Sequence, residues 1–236
     1  MNDKAVLIQA ISAIPCFDQL PLSVPLSCEI NAASLVCLLG EHFSFTNAYM
    51  QMVAGTNEPY AGSISYLDSL LNSSVQNQCP QIAYLYNNSA LLSVLNGIDN
   101  VKAPALYHQL ESTKQIDKEV DALLGELEYG ANHRLLPAYM DTFQRRHLLI
   151  VRAIILKPKI LCIENPFSGL DREQAQIFGG YLAALVKNKN ITVITSDANF
   201  SFVQSYADQI IYLTSATVQV FKQWETFSHY VKTQSA

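Results

Sequence analysis

The sequence predicts an α/β fold with a parallel core sheet, an antiparallel β region at its entry and a helical subdomain inserted in the middle. Three observations carry that expectation. Short apolar strand-like runs alternate with longer helical patterns at both ends of the chain. Over residues 87–156 no strand pattern stands out and helical spacing takes over. After Pro158 strand and helix alternate in a regular rhythm, which calls for crossover connections between parallel neighbours. The expected division is a single domain over 1–236, with an α/β core over 1–86 and 157–236 and a helical part over about 87–156.

In chain order, 5–10 and 23–30 read as strands of the antiparallel entry. Residues 34–39 are wholly apolar and end at Gly40, as buried strands do. A helix over 46–54 follows, stopped by Gly55, and 62–67 reads as another strand after a turn at Pro59. In the middle, Ile116, Val120, Leu123 and Leu127 recur at helical spacing and stop at Gly130, a core-facing stripe. A second helix runs from Asp141 or Thr142 to Leu156, before Pro158. Then come a strand over 159–163, a helix over 172–187, a strand over 191–195, a helix over 199–207, and strands over 209–213 and 217–221. Trp224 and Phe227 are expected to pack on the domain.

Composition narrows the function classes. Of 236 residues, 50% are hydrophobic and 15% charged, which excludes intrinsic disorder and implies a sizeable core. So few charges point to a surface partly covered by a partner. The formal net charge of −5 leaves no electrostatic footprint for nucleic acid. Cys16, Cys28, Cys37, Cys79 and Cys162 stand singly in apolar surroundings and read as reduced, buried thiols of a cytoplasmic protein. No run reaches the ~18 apolar residues of a membrane span, and the N-terminus makes a poor signal peptide. His108, His133, His147 and His229 are isolated, with surface or packing roles.

The most informative stretch is LCIENPFSGLD, residues 161–171. An apolar strand delivers Glu164 and Asn165 at its carboxyl end, where parallel sheets bind ligands. Pro166 breaks the strand, and Ser168, Gly169, Leu170 and Asp171 turn the chain into a helix. This resembles the Walker B and D-loop segment of ABC-type ATPases, in which four apolar residues precede D-E-P-F/T-S/A-x-L-D. The likeness extends both ways at family spacing. MDTFQRRHLLIVRAIILKPKIL (140–161) is similar to the ABC signature helix, with Arg145, Arg146, Arg152, Ala153 and Pro158 in register. LVCLLGEHFSFTN (35–47) aligns with the P-loop strand, IAYLYNNSALLSVLNGIDNV (82–101) with the Q-loop region, and ITVITSD (191–197) with the strand of the switch histidine. The Q-loop segment and PFSGLD most resemble the nucleotide-binding subunits of Mla/Mce-type lipid transporters.

The resemblance implies a role for each position, and this sequence departs from most of them. A P-loop wraps phosphate with backbone N–H groups, its lysine reaches the β/γ-phosphates and its hydroxyl holds Mg²⁺. Here the loop reads Gly40, Glu41, His42, Phe43, Ser44, Phe45, Thr46, Asn47. Phe43 and Phe45 stand at glycine positions, where a positive φ would be costly for bulky residues. Thr46 replaces the lysine and Asn47 the Mg²⁺-binding hydroxyl; Glu41 adds negative charge. Glu164 stands at the Mg²⁺-supporting aspartate, a tolerable swap that makes it the one candidate metal ligand. Asn165 stands at the catalytic carboxylate, and an amide takes no proton at neutral pH, which removes a contribution of about 10²–10⁴ in rate. Asn87 replaces the Q-loop glutamine and Ser196 the switch histidine. The signature becomes Met140, Asp141, Thr142, Phe143, Gln144, in which Asp141 would repel a γ-phosphate and Phe143 would crowd it. Phe17 is the nearest aromatic to an adenine-stacking position. The dimer-contact turn, Ser168–Asp171, is intact.

The expectation is therefore an ABC ATP-binding-subunit homologue that has lost its catalysis. It would act as a structural or regulatory subunit, peripheral to the inner membrane on the cytoplasmic side. Its partners would be a permease subunit, docked near residues 87–101, and a second nucleotide-binding subunit in a homo- or heterodimer. Lipid is the expected cargo, and no cofactor is expected to bind tightly. The alternatives are a slow or partner-activated ATPase using ATP and Mg²⁺, and a soluble binding module whose altered cleft takes an apolar, non-phosphate ligand.

Overall fold

The computed structural model describes residues 5–40, 43–67, 81–126, 133–196 and 199–234. Glu41, His42, Cys79, Leu127, Gly130 and Asp197 lie outside the described residues. The chain opens with β1 (Val6–Ile14), β2 (Cys16–Phe17), β3 (Leu20–Pro21), β4 (Leu26–Asn31), β5 (Leu35–Gly40), α1 (Phe43–Val53), β6 (Ala61–Tyr66) and β7 (Ile82–Leu85). The helical part holds α2 (Gly97–Tyr107), α3 (Thr113–Gly125) and α4 (Thr142–Ile154). The chain then runs through β8 (Ile160–Glu164), α5 (Arg172–Lys189), β9 (Thr192–Ser196), α6 (Phe200–Tyr206), β10 (Gln209–Leu213), β11 (Val218–Phe221) and α7 (Trp224–Gln234).

The core sheet has the order β11-β10-β5-β9-β8-β7. Its strands are parallel except β11, which pairs antiparallel with β10 at one edge. A second, antiparallel sheet has the order β4-β1-β6. This is the expected α/β class, with its parallel core, antiparallel region and helical insertion.

Both faces of the core sheet are covered, which explains why its strands read as continuous apolar runs rather than alternating ones. Leu35, Cys37 and Leu39 of β5 pack with the helical part and α5, whereas Val36 and Leu38 pack with α1 and the antiparallel sheet. Period-2 alternation along one strand thus feeds two separate cores. α3 buries a single stripe, Ile116, Val120, Leu123 and Leu124, whereas α1 is buried more widely, at Thr46, Ala48, Tyr49, Met50, Met52 and Val53. Phe227 of α7 is buried among Tyr212, Phe221 and Trp224, so the expected aromatic packing holds.

Several local expectations are corrected. β1 runs to Ile14, β4 begins only at Leu26, and β7 and α2 carry order where no element was expected. Cys37 and Cys162 are buried, but Cys16 and Cys28 are only half-buried. All four are free thiols. α1 starts at Phe43, three residues before its expected start.

Candidate functional site

Sheet register assembles the site. Glu164 at the end of β8 lies opposite Ser196 at the end of β9, and Ser196 lies opposite Leu38, two residues before Gly40 ends β5. Three of the positions singled out in the sequence therefore meet at one carboxyl edge, where open parallel sheets bind ligands.

α1 begins close behind the end of β5. Only residues 41 and 42 separate Gly40 from the first helical residue, Phe43. Neither Phe43 nor Phe45 has a positive φ. The expected strain at the glycine positions is absent because both residues have joined the helix. Thr46 is buried (2% exposed), with its hydroxyl so close to the Gly40 Cα that a Cβ there would collide with it. A short β-branched side chain tucked under the strand end occupies the place of a long cation. One helical step on, Asn47 accepts a 2.5 Å hydrogen bond from the Ser196 hydroxyl through Oδ1. The hydroxyl and switch positions of the family are thus bonded to each other.

Glu164 is buried (5% exposed) and spends both oxygens inside the protein. Oε1 accepts from Gln51 Nε2 of α1 at 3.0 Å and from the Tyr84 phenol of β7 at 2.8 Å. Oε2 accepts the backbone N–H of Asn87 at 2.9 Å. All three donors are neutral, so hydrogen bonds compensate for the burial of this carboxyl group. Burial, followed by the bond to Glu164, pushes the Tyr84 phenol far above its ordinary range.

Asn165 takes a left-handed backbone (φ 44°), which asparagine tolerates better than other residues with a Cβ. Its N–H donates to the Ser196 carbonyl at 2.8 Å, and its own carbonyl accepts from Arg146 at 3.2 Å. Its side-chain oxygen is buried with no hydrogen-bond partner among the described residues. A side-chain amide here cannot serve as a base.

The signature segment is closed in a different way. Asp141 is the N-cap of α4, accepting the Gln144 N–H at 2.7 Å, while Gln144 Oε1 accepts the Asp141 N–H at 3.2 Å. This capping box uses a helix N-terminus that would otherwise favour an anion. Thr142 is half-buried beside it. Phe143 does not project outward, where it would crowd a phosphate; it is buried, edge-on to His147 at 4.3 Å. His147 is buried in turn, with its ring pushed down to about 4, chiefly by desolvation. Its Nδ1 lies 3.0 Å from the Phe143 carbonyl, which only a protonated nitrogen can satisfy. Ser168 and Gly169 are exposed, Leu170 is half-buried, and Asp171 caps α5 with the same D-x-x-Q box, through Gln174. Gly169 has φ 76°, and its nearest neighbour is the Thr142 methyl, so the two turns adjoin.

Two cavities flank these residues. One of about 190 Å³ lies between residues 85–90 and the start of α4, lined by Tyr86, Asn87, Thr142, Arg145 and Arg146. The other, about 270 Å³, lies beside α1, lined by Leu22, Val24, Phe45, Thr46, Tyr49 and Leu213 with no charged side chain among the described residues. Phe17 meets Phe45 edge-on at 5.4 Å near its mouth. Among the described residues no group of three or more His, Cys, Asp and Glu side chains could hold a metal. The residues do not fit a magnesium nucleotide gripped in the family's manner. The cation is gone, the metal-side positions are spent on each other and on Gln51, Tyr84 and Asn87, and no side chain at Asn165 takes a proton.

Sequence reasoning missed Gln51, Tyr84 and Asn100. Asn100, buried in α2, donates to the carbonyls of Leu92, Leu95 and Asn96 and accepts the Leu92 N–H at 2.7 Å. It fixes the loop on which Leu92 (51% exposed) and Val94 (83% exposed) project. A polar residue on the apolar face of a helix was the available signal.

No protein-family model matches the chain. It is similar to the sulfate/thiosulfate import ATP-binding protein CysA of Mesostigma viride, 26% identical over 191 residues. That match takes in 81% of this chain and 54% of the relative, so the chain spans about half that relative's length. It is also similar to the lipoprotein-releasing system ATP-binding protein LolD of Hydrogenovibrio crunogenus, 26% identical over 186 residues, 75% of this chain and 80% of LolD. Among solved structures it superposes on cbiO1 from Clostridium perfringens, part of the ABC transporter complex cbiONQ, with TM-score 0.80 and 17% identity. That superposition covers 95% of this chain and 92% of cbiO1. With the ABC cassette fold in place and these sequence likenesses extending over three quarters or more of it, the chain is a homologue of the ATP-binding subunits of ABC transporters.

Proposed function

We propose that the chain is a catalytically degraded ABC subunit, a pseudo-ATPase that docks on a membrane permease and serves it by binding rather than by turnover. The observation that carries this reading is the self-satisfied cleft: Thr46 under Gly40, Asn47 on Ser196, and Glu164 on Gln51, Tyr84 and Asn87. Thr46, Asn47 and Glu164, three positions that the resemblance assigns to a phosphate or its metal, are each engaged inside the protein. Among the described residues no helix is long and apolar enough to cross a membrane, so membrane attachment runs through the partner. The docking surface is the loop carrying Leu92 and Val94 together with the adjoining 190 Å³ groove. The exposed turn at Ser168–Asp171 faces a second nucleotide-binding subunit, and the complex sits on the cytoplasmic side of the inner membrane. The cargo is a lipid, on the likeness of residues 82–101 and of PFSGLD to Mla/Mce-type subunits.

Co-purification from detergent-solubilised membranes tests this, with the recovered subunits identified by mass spectrometry. A multi-span permease and a second cassette subunit are expected, with no phosphate release from ATP-Mg²⁺ by the isolated chain. Turnover that Glu164→Ala abolishes would instead establish a working ATPase.

The uncharged 270 Å³ cavity beside Phe45 favours a second reading, a soluble module that binds a neutral ligand there. A chain that never co-fractionates with membranes would support it.

A further inference from the structure

We infer that Glu164 is a positioning residue, which holds the permease-docking loop in a single setting without any nucleotide. The inference rests on the proposed docking role of the loop that follows β7, and it deepens that reading.

The carboxyl group ties together three elements that the chain brings from far apart. Gln51 belongs to α1, Tyr84 to β7, and Asn87 is the second residue after β7. The Asn87 N–H lies just beyond the strand ladder, which pairs β7 with β8 only as far as Leu85 and Ile163. Its partner is the Glu164 carboxyl group, so that group extends the ladder by one side-chain bond into the loop. Gln51 is held in turn, since its Oε1 accepts from Asn57 at 3.0 Å. Further along, Asn100 grips the backbone at Leu92 and Leu95. The loop is thus pinned at both ends by buried polar side chains, and the exposed Leu92 and Val94 lie between those pins or on the second one.

The carboxylate that the resemblance assigns to supporting Mg²⁺ has both oxygens engaged by donors of the protein. A docking surface fixed this way is preset, and its geometry does not answer to ATP. Charge-assisted acceptors of this kind are stronger than neutral ones, and the burial of Glu164 makes its carboxyl group costly to leave without these bonds.

Amide hydrogen exchange read residue by residue by NMR tests this on the full-length chain. In the wild type the Asn87 amide is protected, and ATP-Mg²⁺ at millimolar concentration leaves its rate unchanged. Glu164→Gln keeps the volume but puts an NH₂ among three donors. It is expected to speed exchange at Asn87 by about tenfold or more, the value of one lost bond, beyond whatever common factor lower global stability applies to the amides of β5 and β9. A merely structural role would shift all of these together. Tyr84→Phe removes one donor and leaves the Asn87 bond, so it gives the smaller change and stands in should Glu164→Gln fail to fold.

An unprotected Asn87 amide in the wild type, an unchanged rate in Glu164→Gln, or a rate that responds to ATP-Mg²⁺ would each overturn the inference. Failure of the docking proposal looks different: Asn87 stays protected, but no permease co-purifies.

Discussion

The cleft and the two helix starts beside it carry the positions that the resemblance assigns to nucleotide handling, and the residues there bond in different ways. In the cleft the replacements bond across elements: Ser196 of β9 to Asn47 of α1, and Glu164 of β8 to α1, β7 and the loop beyond. At the helix starts the bonds stay local. Asp141 caps α4 through Gln144 and Asp171 caps α5 through Gln174, with matching distances of 2.7 and 2.8 Å. The same four-residue device appears twice with opposite consequences. At Asp171 it leaves the family's turn as it was. At Asp141 it places a carboxylate where the resemblance expects a phosphate. A cleft that is cross-linked should matter to the stability of the whole domain, whereas a capped helix start should matter only to its own helix.

The largest expected effect breaks the cleft. Glu164→Ala removes the shared acceptor of Gln51 and Tyr84, both half-buried, and of the exposed Asn87, at about 1 kcal/mol or more for each bond to a charged group. Urea unfolding should show a loss of about 3 kcal/mol or more. A loss below about 1 kcal/mol would mean that the cleft is not interlocked.

Next comes acidity, acting on the buried side of the α4 start. The folded His147 ring titrates at about 4, below its ordinary 6.5. Between those values the unfolded chain binds the extra proton, so stability falls as pH drops from about 6.5 toward 4 and is unaffected above that window. The loss is on the order of 2–3 kcal/mol. Thermal melts of His147→Leu should lack that slope, and an unchanged slope would place its origin elsewhere.

The two caps should then prove equivalent. Asp141→Ala and Asp171→Ala are each expected to cost about 1 kcal/mol. Asp141→Ser keeps a good cap and should cost little. Markedly unequal losses would show that one turn is tied to more than its own helix.

Smallest in stability is Val94→Ser, within about 0.5 kcal/mol of wild type because the side chain is exposed. It should nonetheless reduce the recovery of the permease in membrane pull-downs.

The architecture was largely legible in the sequence because its signals are local. Apolar runs ending at Gly40 and Glu164 marked the buried strands, and the stripe at Ile116, Val120 and Leu123 marked a helix. β7 escaped notice because four residues carry too little pattern, and α2 because Pro104 interrupts it. At the site, sequence reasoning identified which groups had been replaced but not what they bond to. The Glu164 contacts span 113, 80 and 77 residues, and the Asn47–Ser196 bond spans 149. Such pairings come from sheet register, which no local spacing encodes. The Phe43 and Phe45 expectation failed for a related reason. Steric cost was assigned to a loop conformation that the chain does not adopt, since extending α1 back to Phe43 removes the need for it.

Isothermal titration calorimetry of the purified chain with ATP-Mg²⁺ reaches the central claim most directly, because it reads the closed cleft itself. No saturable heat is expected with nucleotide in the millimolar range. Saturable binding at micromolar nucleotide, lost on Glu164→Ala, would show that the cleft opens to receive a triphosphate and would contradict the account.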